Sequence, residues 1–474
     1  MSICNLIRAI FCVQLMLIAQ QSISQDDVQV LNDDVQLGID FNFDDSAIFA
    51  NAFDESITNT DSWLDDFTVK ISQQFFGQVN NHQIEIAPDF SISKPAELEN
   101  NRLGLNVRYQ NPFAAGWLLQ ASGHARAYWV EDYEYKANDD RVDTEYRINE
   151  FFLQRSFDQY SIKIGRQTVV WGETEGNSVL DVINTTEFRD LTVIDIEDAR
   201  LNQWMVVLDY YGEDSNISSF LNLYPEFNPA PVRGSPFFFE PTYNLTDYDR
   251  DKPLFEVGTQ WRKTFERSDI AFMAAYLYEN QLRYEDPVSG VGDSIAKKND
   301  FLMLGFSANR AIGKLLLKFD LAFNKGVQAN TFIIPGSGSI STALDIEKDE
   351  IGTSFGFEYS IDNDQNVSVG VLARKLLDAN DDLLPGQEVY NDGFFGNWLL
   401  RYSNNLRNGD LIISLTMQGD IEADSLLASL DFNYIINDNW AVLGQLTSIM
   451  ADDVSPLLPF DEDVRLGATI TYSF

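Results

Sequence analysis

The stretch VRLGATITYSF, residues 464–474, alternates without a break. Val464, Leu466, Ala468, Ile470, Tyr472 and Phe474 fall on one face of an extended chain, and Arg465, Gly467, Thr469, Thr471 and Ser473 on the other, because successive side chains of a strand point to opposite sides. One face suits an apolar phase and the other suits water. A protein core and lipid hydrocarbon both meet that demand, so the rest of the sequence has to decide between them.

The stretch MSICNLIRAIFCVQLMLIAQQSISQ carries one positive charge, Arg8, then an apolar run from Ala9 to Ala19 and a small-residue site at Ser22-Ile23-Ser24. This is the layout of a secretory signal peptide over residues 1–24, and the run is too short for a permanent anchor. Both cysteines, Cys4 and Cys12, fall inside it, so the expected mature chain has no disulfide, thiolate metal site or cysteine nucleophile. With 33 Lys and Arg against 73 Asp and Glu, the net charge is −40, which argues against nucleic acid as a partner. A hydrophobic content of 45% with 13% aromatic residues is far above that of a disordered acidic chain.

Beyond the signal there is no run of about eighteen apolar residues to make a spanning helix, so a membrane protein of this sequence crosses as a closed barrel. Alternating segments of about 9 to 13 residues recur to the end, the length a tilted membrane strand needs. Short polar turns at 110–116, 156–159, 212–215, 265–268, 310–313, 362–365, 404–409 and 437–439 are interleaved with longer acidic connections at 78–100, 131–143, 172–202, 224–252, 284–299, 325–350 and 377–392. This sorting predicts an all-β, transmembrane, antiparallel up-and-down barrel over residues 63–474, with about 18 strands and 16 as the alternative count. Both termini then fall on the short-turn rim, expected to be periplasmic in a bacterial outer membrane. A soluble sandwich has no reason to sort its loops this way. Residues 25–62 are expected to form a periplasmic extension or a small plug.

In the strand at 116–130, Trp117, Leu119, Ala121, Gly123, Ala125, Ala127 and Trp129 take the outward face, while Gln120, Ser122, His124, Arg126 and Tyr128 point inward. A row of hydrogen-bonding side chains implies a wet lumen. Trp117, Trp440, Tyr472 and Phe474 near inner strand ends, with Trp129 and Trp171 near outer ends, predict two aromatic belts.

The most distinctive stretch is IGRQTVVWGETEGNSVLDVINTTEFRD (164–190), followed by IDIEDARL (194–201). With LDYY (208–211) and YPEFNPAPVRGSPFFF (224–239), it resembles a family of Gram-negative outer-membrane proteins of unassigned function, marked by a G-R-Q-x-x-x-W-G strand and a D-V-x-N-P-x-D loop. The sequence departs from that pattern at Asn184-Thr185-Thr186-Glu187. The resemblance implies likeness to alginate-export-type, substrate-specific barrels, hydrophobic or lipid-like cargo, and an inner-membrane transporter of the resistance-nodulation-division type as a partner.

Read residue by residue, simple alternation aims Arg166 at lipid, and a bulge at Gly165 would turn it inward. There it would meet Glu150 as a lumenal pair, serving either as a structural tie or as a charged ring that selects solute. The 172–202 connection mixes Glu173, Asp181, Arg189, Asp190, Asp195, Asp198 and Arg200 with Val179, Leu180, Ile183 and Ile194. So long a connection with apolar residues is expected to pack on something, either folded into the barrel as a constriction lined with Arg126 or lying outside as a lid. Asp195, Glu197 and Asp198 fit no EF-hand spacing, and no metal or cofactor is expected. Phe237, Phe238 and Phe239, together with TFIIPG at 331–336, predict either hydrophobic solute capture or inward packing against other loops.

Ser122 and His124 share a strand face, but adjacent positions on one strand do not supply nucleophile-to-base geometry, and no catalytic residue is assigned. The expected function is therefore transport of a specific, hydrophobic or amphipathic solute, with no covalent step. A receptor or adhesin with a closed lumen is the first alternative and an embedded hydrolase the second. Expected partners are outer-membrane lipid and lipopolysaccharide, and the barrel-assembly machinery, which would read Tyr472 and Phe474 as its signal.

Overall fold

The computed structural model describes residues 66–474 except 88–89, 114–115, 138–140, 175, 188, 190–198, 232–234, 239–243, 247, 249–252, 286–291, 329–346, 378–392, 423, 454 and 456. The expected signal peptide and the 25–62 segment lie outside the described residues.

Eighteen strands make one sheet. The first nine are β1 (Phe67–Gln78), β2 (Leu98–Phe113), β3 (Trp117–Tyr128), β4 (Asp143–Phe157), β5 (Tyr160–Gln167), β6 (Gln203–Tyr211), β7 (Ser215–Asn222), β8 (Glu256–Phe265) and β9 (Ser268–Tyr278). The rest are β10 (Asp300–Ile312), β11 (Leu315–Gln328), β12 (Glu347–Ser360), β13 (Gln365–Leu376), β14 (Phe394–Leu406), β15 (Leu411–Asp420), β16 (Leu426–Ile435), β17 (Trp440–Met450) and β18 (Val464–Ser473). Each pairs antiparallel with the next, and β18 returns to β1 in a register running from Lys70↔Ser473 to Gln78↔Arg465. Closure leaves the sheet without an edge, which is the condition for placing strands in hydrocarbon.

Period two decides which side chain faces where. In β9, Ala271, Met273 and Ala275 are buried inside the barrel while Phe272 between them is 51% exposed. Around the outside, Trp261, Phe272, Phe306, Phe319 and Phe355 touch in sequence, with ring centroids 6.0, 5.1, 6.1 and 4.8 Å apart. Cross-strand aromatic contacts of this kind stabilise neighbouring strands and present a continuous apolar surface outward. At the short-turn rim Tyr472 meets Trp440 at 4.9 Å and Phe474 at 4.7 Å.

Two expectations need correction. Trp171 is 2% exposed and packs inside the barrel, so it belongs to no outer belt. The β15–β16 connection at 421–425 is short although it lies on the long-loop rim, so loop length does not sort by side without exception. The first long connection carries a hairpin (His82–Ala87 with Phe90–Lys94) and the second a short helix (Tyr133–Ala137).

Candidate functional site

The chain between β5 and β6 turns into the barrel. Val179, Leu180 and Ile183 are at most 1% exposed and pack with Trp171 against inward side chains that include Met205, Phe220, Met273, Met303 and Leu372. The wall has been hollowed to receive them. A Cβ on Gly258 would come 2.7 Å from the Trp171 ring, and one on Gly305 would come 2.6 Å from Leu180 Cδ2. Only glycine leaves the space.

Polar anchors fix the same segment. Asp320, fully buried on β11, accepts hydrogen bonds from Glu173 N at 2.9 Å, Thr174 N at 3.0 Å and Ser178 Oγ at 2.8 Å. Val179 N donates to Ser354 Oγ at 2.9 Å, and Gln203 Nε2 donates to Ile183 O at 2.8 Å. Two of the charged loop residues are tied down as well. Glu173 pairs with Arg262 at 2.8 Å and accepts from Asn309 Nδ2 at 2.8 Å, and Asp181 pairs with Arg200 at 2.8 Å. A buried carboxylate with this many donors has its acceptor oxygens satisfied.

Where the segment meets the wall of β3 and β4, charges gather into one network. Glu145 accepts from Tyr128 Oη at 2.5 Å, Arg189 Nη2 at 3.0 Å and Arg147 Nη2 at 3.3 Å, with Arg126 Nη1 at 3.9 Å. Glu187 accepts from Arg189 Nε at 2.8 Å and Nη2 at 2.7 Å, and from Arg147 Nη2 at 2.9 Å. Three guanidiniums against two carboxylates leave a positive surplus. Burial opposes the charged form of Glu187, but hydrogen bonds and charge from Arg189, followed by Arg147, hold its carboxyl down at about 2. Hydrogen bonding to Glu187 in turn raises Arg189. The same inward face continues through His124 opposite Arg147, Arg108 opposite Ser122 and Lys70 opposite Asn106, so basic side chains form a file along one lumen wall.

The structure does not bring Arg166 and Glu150 together. Register runs unbroken through Gly165, whose φ is +139°, and Arg166 lies opposite Phe151 and Trp204, both exposed outward. Arg166 therefore keeps the outward face near the rim, where Glu226 holds it through bonds of 2.7 and 2.9 Å. A bidentate carboxylate supplies what lipid cannot. The bulge lies instead in β4, where the register shifts opposite Ser122. There Glu150 accepts from Gln120 Nε2, and its N–H donates to Ser122 Oγ at 3.1 Å. Ser122 thus spends its hydroxyl as a structural acceptor.

Phe237 is 4% exposed and packs with Leu427, Ile449 and Phe460, so it takes the inward of its two expected placements; Phe238 is half-buried. Beside it, Asp463 contacts His82 Nε2 at 3.0 Å and Arg465 Nη2 at 2.9 Å. These contacts knit three of the long connections together. Asp190, Asp195, Asp198, Phe239 and the TFIIPG segment lie outside the described residues. Sequence reading missed Asp320, Glu226, Glu145, Arg147 and Glu187. The visible signals were a single acid inside the apolar run LLLKFDLAF and the Glu145–Arg147 spacing of two, which places opposite charges on one strand face.

The family model described as "Protein of unknown function (DUF1302)" matches residues 40–466. No curated protein matches. Among solved structures the chain is similar to OccAB1 of Acinetobacter baumannii, at 10% identity over 86% of this chain and 96% of that one, with a TM-score of 0.49. It is also similar to OpdL of Pseudomonas aeruginosa, at 11% identity over 86% and 98% with a TM-score of 0.46. OccK1 (OpdK) of the same organism gives 10% identity over 87% and 100%, with a TM-score of 0.47.

Proposed function

The chain belongs to this family of unknown function, DUF1302, and from that premise we propose that it is an outer-membrane channel whose inturned β5–β6 connection constricts the lumen and selects the solute. Orientation follows the loop lengths, with short turns and both termini periplasmic. One observation carries the reading: a segment anchored on the buried Asp320 carries Glu187 and Arg189 to the basic file of Lys70, Arg108, Arg126 and Arg147. A constriction is where fixed charge acts most strongly on a passing solute, because little water is left to screen it.

The surplus of cations there favours an anionic group. The inner apolar patch is covered by Leu180 and Ile183, so the path is polar and a purely hydrocarbon cargo has no lining to follow. An amphipathic solute with an acidic head fits better. The knitted mouth around Asp463 and Phe237 supports a second reading, a receptor whose lumen stays shut.

Conductance of the purified full chain in planar bilayers separates the two. Discrete steps with anion preference, changed in size by deleting 172–187 and reduced in anion preference by Arg147→Gln with Arg189→Gln, are expected of the channel. Silence both with and without the segment favours the receptor.

A further inference from the structure

The outer surface of the barrel carries a groove of about 1280 Å³ close to the short-turn rim. Its wall is apolar, with Leu317, Phe319, Phe355, Val369 and Val371 along it and Ala308 at its floor. Ala308 lies opposite Ile270 on one side and Phe319 on the other, so a methyl group stands among much larger outward side chains. That size difference is what makes the surface concave.

Cations stand at the end of the groove. Lys263, Arg267 and Arg310 all line it. Arg310 lies opposite Ser268, and Ala311 N donates to Arg267 O at 2.9 Å, so two guanidinium side chains start from neighbouring points of adjacent strands. Both arginines are exposed. Two acids stand among the three cations and leave one positive charge over: Asp214 lies 3.8 Å from Lys263, and Glu266 lines the same end. In a chain of net charge −40, three cations gathered at the foot of an apolar groove call for an anionic, hydrocarbon-bearing ligand.

We propose that this groove binds one glycerophospholipid, with its acyl chains against Phe319, Phe355 and Val371 and its phosphate held by Arg267 and Arg310, Lys263 standing beside them. Guanidiniums grip phosphate oxygens in pairs, and strand ends are where headgroups sit. Commitment to phospholipid rests on the short-turn rim being periplasmic, as proposed above; lipopolysaccharide occupies the opposite leaflet. A second copy seated on the groove by two-fold symmetry would bring like charges together at the rim. The lumen plays no part, so failure here leaves the channel reading standing, and failure of conductance leaves this one.

The test is native mass spectrometry of the full chain, delipidated in nonionic detergent and titrated with phosphatidylglycerol, with lipid A as competitor. One phospholipid retained per barrel is expected, with lipid A competing poorly. Arg267→Gln with Arg310→Gln should weaken retention roughly fivefold per cation removed. Ala308→Phe, which fills the groove, should abolish retention while heat-dependent gel migration shows the barrel folded. Equal retention in both variants, equal competition by lipid A, or a barrel dimer in place of the lipid adduct would each overturn the proposal.

Discussion

Ser178 donates its hydroxyl to Asp320 at 2.8 Å across 142 residues of sequence. This bond is one of several that join the inturned segment to the barrel wall. Because Glu173 N and Thr174 N converge on the same carboxylate, Asp320 is the point from which the segment hangs.

Replacing Asp320 by Ala leaves three buried donors without an acceptor, each worth about 1–3 kcal/mol. The segment should detach while the β-ladder persists. Amide exchange of 172–187 then rises sharply with strand protection little changed, and mean conductance increases. Unchanged exchange in this segment would refute Asp320 as its anchor.

Gly305→Val tests the hollowed wall from the other side. The new Cβ would stand 2.6 Å from Leu180 Cδ2 and 3.3 Å from Met273 Cβ, and overpacking of this kind costs about 1–3 kcal/mol. A lower melting temperature is expected, partly restored by Leu180→Ala in the same chain.

The Arg166–Glu226 pair should matter more than a surface ion pair because it stands on the outward face. Arg166→Ala removes the two charge-assisted bonds to Glu226 and a third to Ile148 O, a loss of about 2–3 kcal/mol. Arg166→Met combined with Glu226→Gln should recover part of that stability. Chemical unfolding in vesicles measures both.

Two carboxyls outside the strands predict opposite pH responses. Glu187 is held at about 2 against an ordinary 4.5, so its stabilising contribution is complete above 4.5 and is lost as pH falls through about 2. Glu279 is half-buried beside Gln328 N, which donates to it at 3.0 Å, and its loss of hydration raises it to about 7 despite that donor. Between its ordinary 4.5 and about 7 the folded protein keeps a proton that the unfolded chain has released. Its contribution is therefore full below 4.5 and declines as pH rises through about 7, by a few kcal/mol in all. Glu279→Gln should raise the melting temperature at pH 8 and scarcely at pH 5. An equal shift at both values would place Glu279 outside the titration.

How much could be read beforehand follows from the range of each interaction. Alternation within one strand is local, so the inward face of Gln120 to Tyr128 is legible from GWLLQASGHARAYWV, and the barrel with its turns from such segments together with the short turns and long connections between them. Partners brought together from distant segments are not local. Nothing near Arg166 in sequence points to Glu226, and nothing near Ser178 points to Asp320. A cation on an outward face with no visible partner points to an inward bulge at Gly165, whereas its partner comes from a loop some sixty residues on. Trp171 misled for the same reason, since a tryptophan at a strand end is outward only when the chain that follows stays outside.

The join between β18 and β1 sets a limit on how the molecule comes into being. Phe474 N donates to Val69 O at 2.9 Å, so the seam is sewn between strands that lie some four hundred residues apart, the first and the last of those described. Until β18 reaches β1, each presents a raw border of unpaired amides with nothing to bind. Such borders are unsafe in water and intolerable in hydrocarbon. Insertion of this wall must therefore wait until both of its seam strands have been made, with each border kept covered until the two meet.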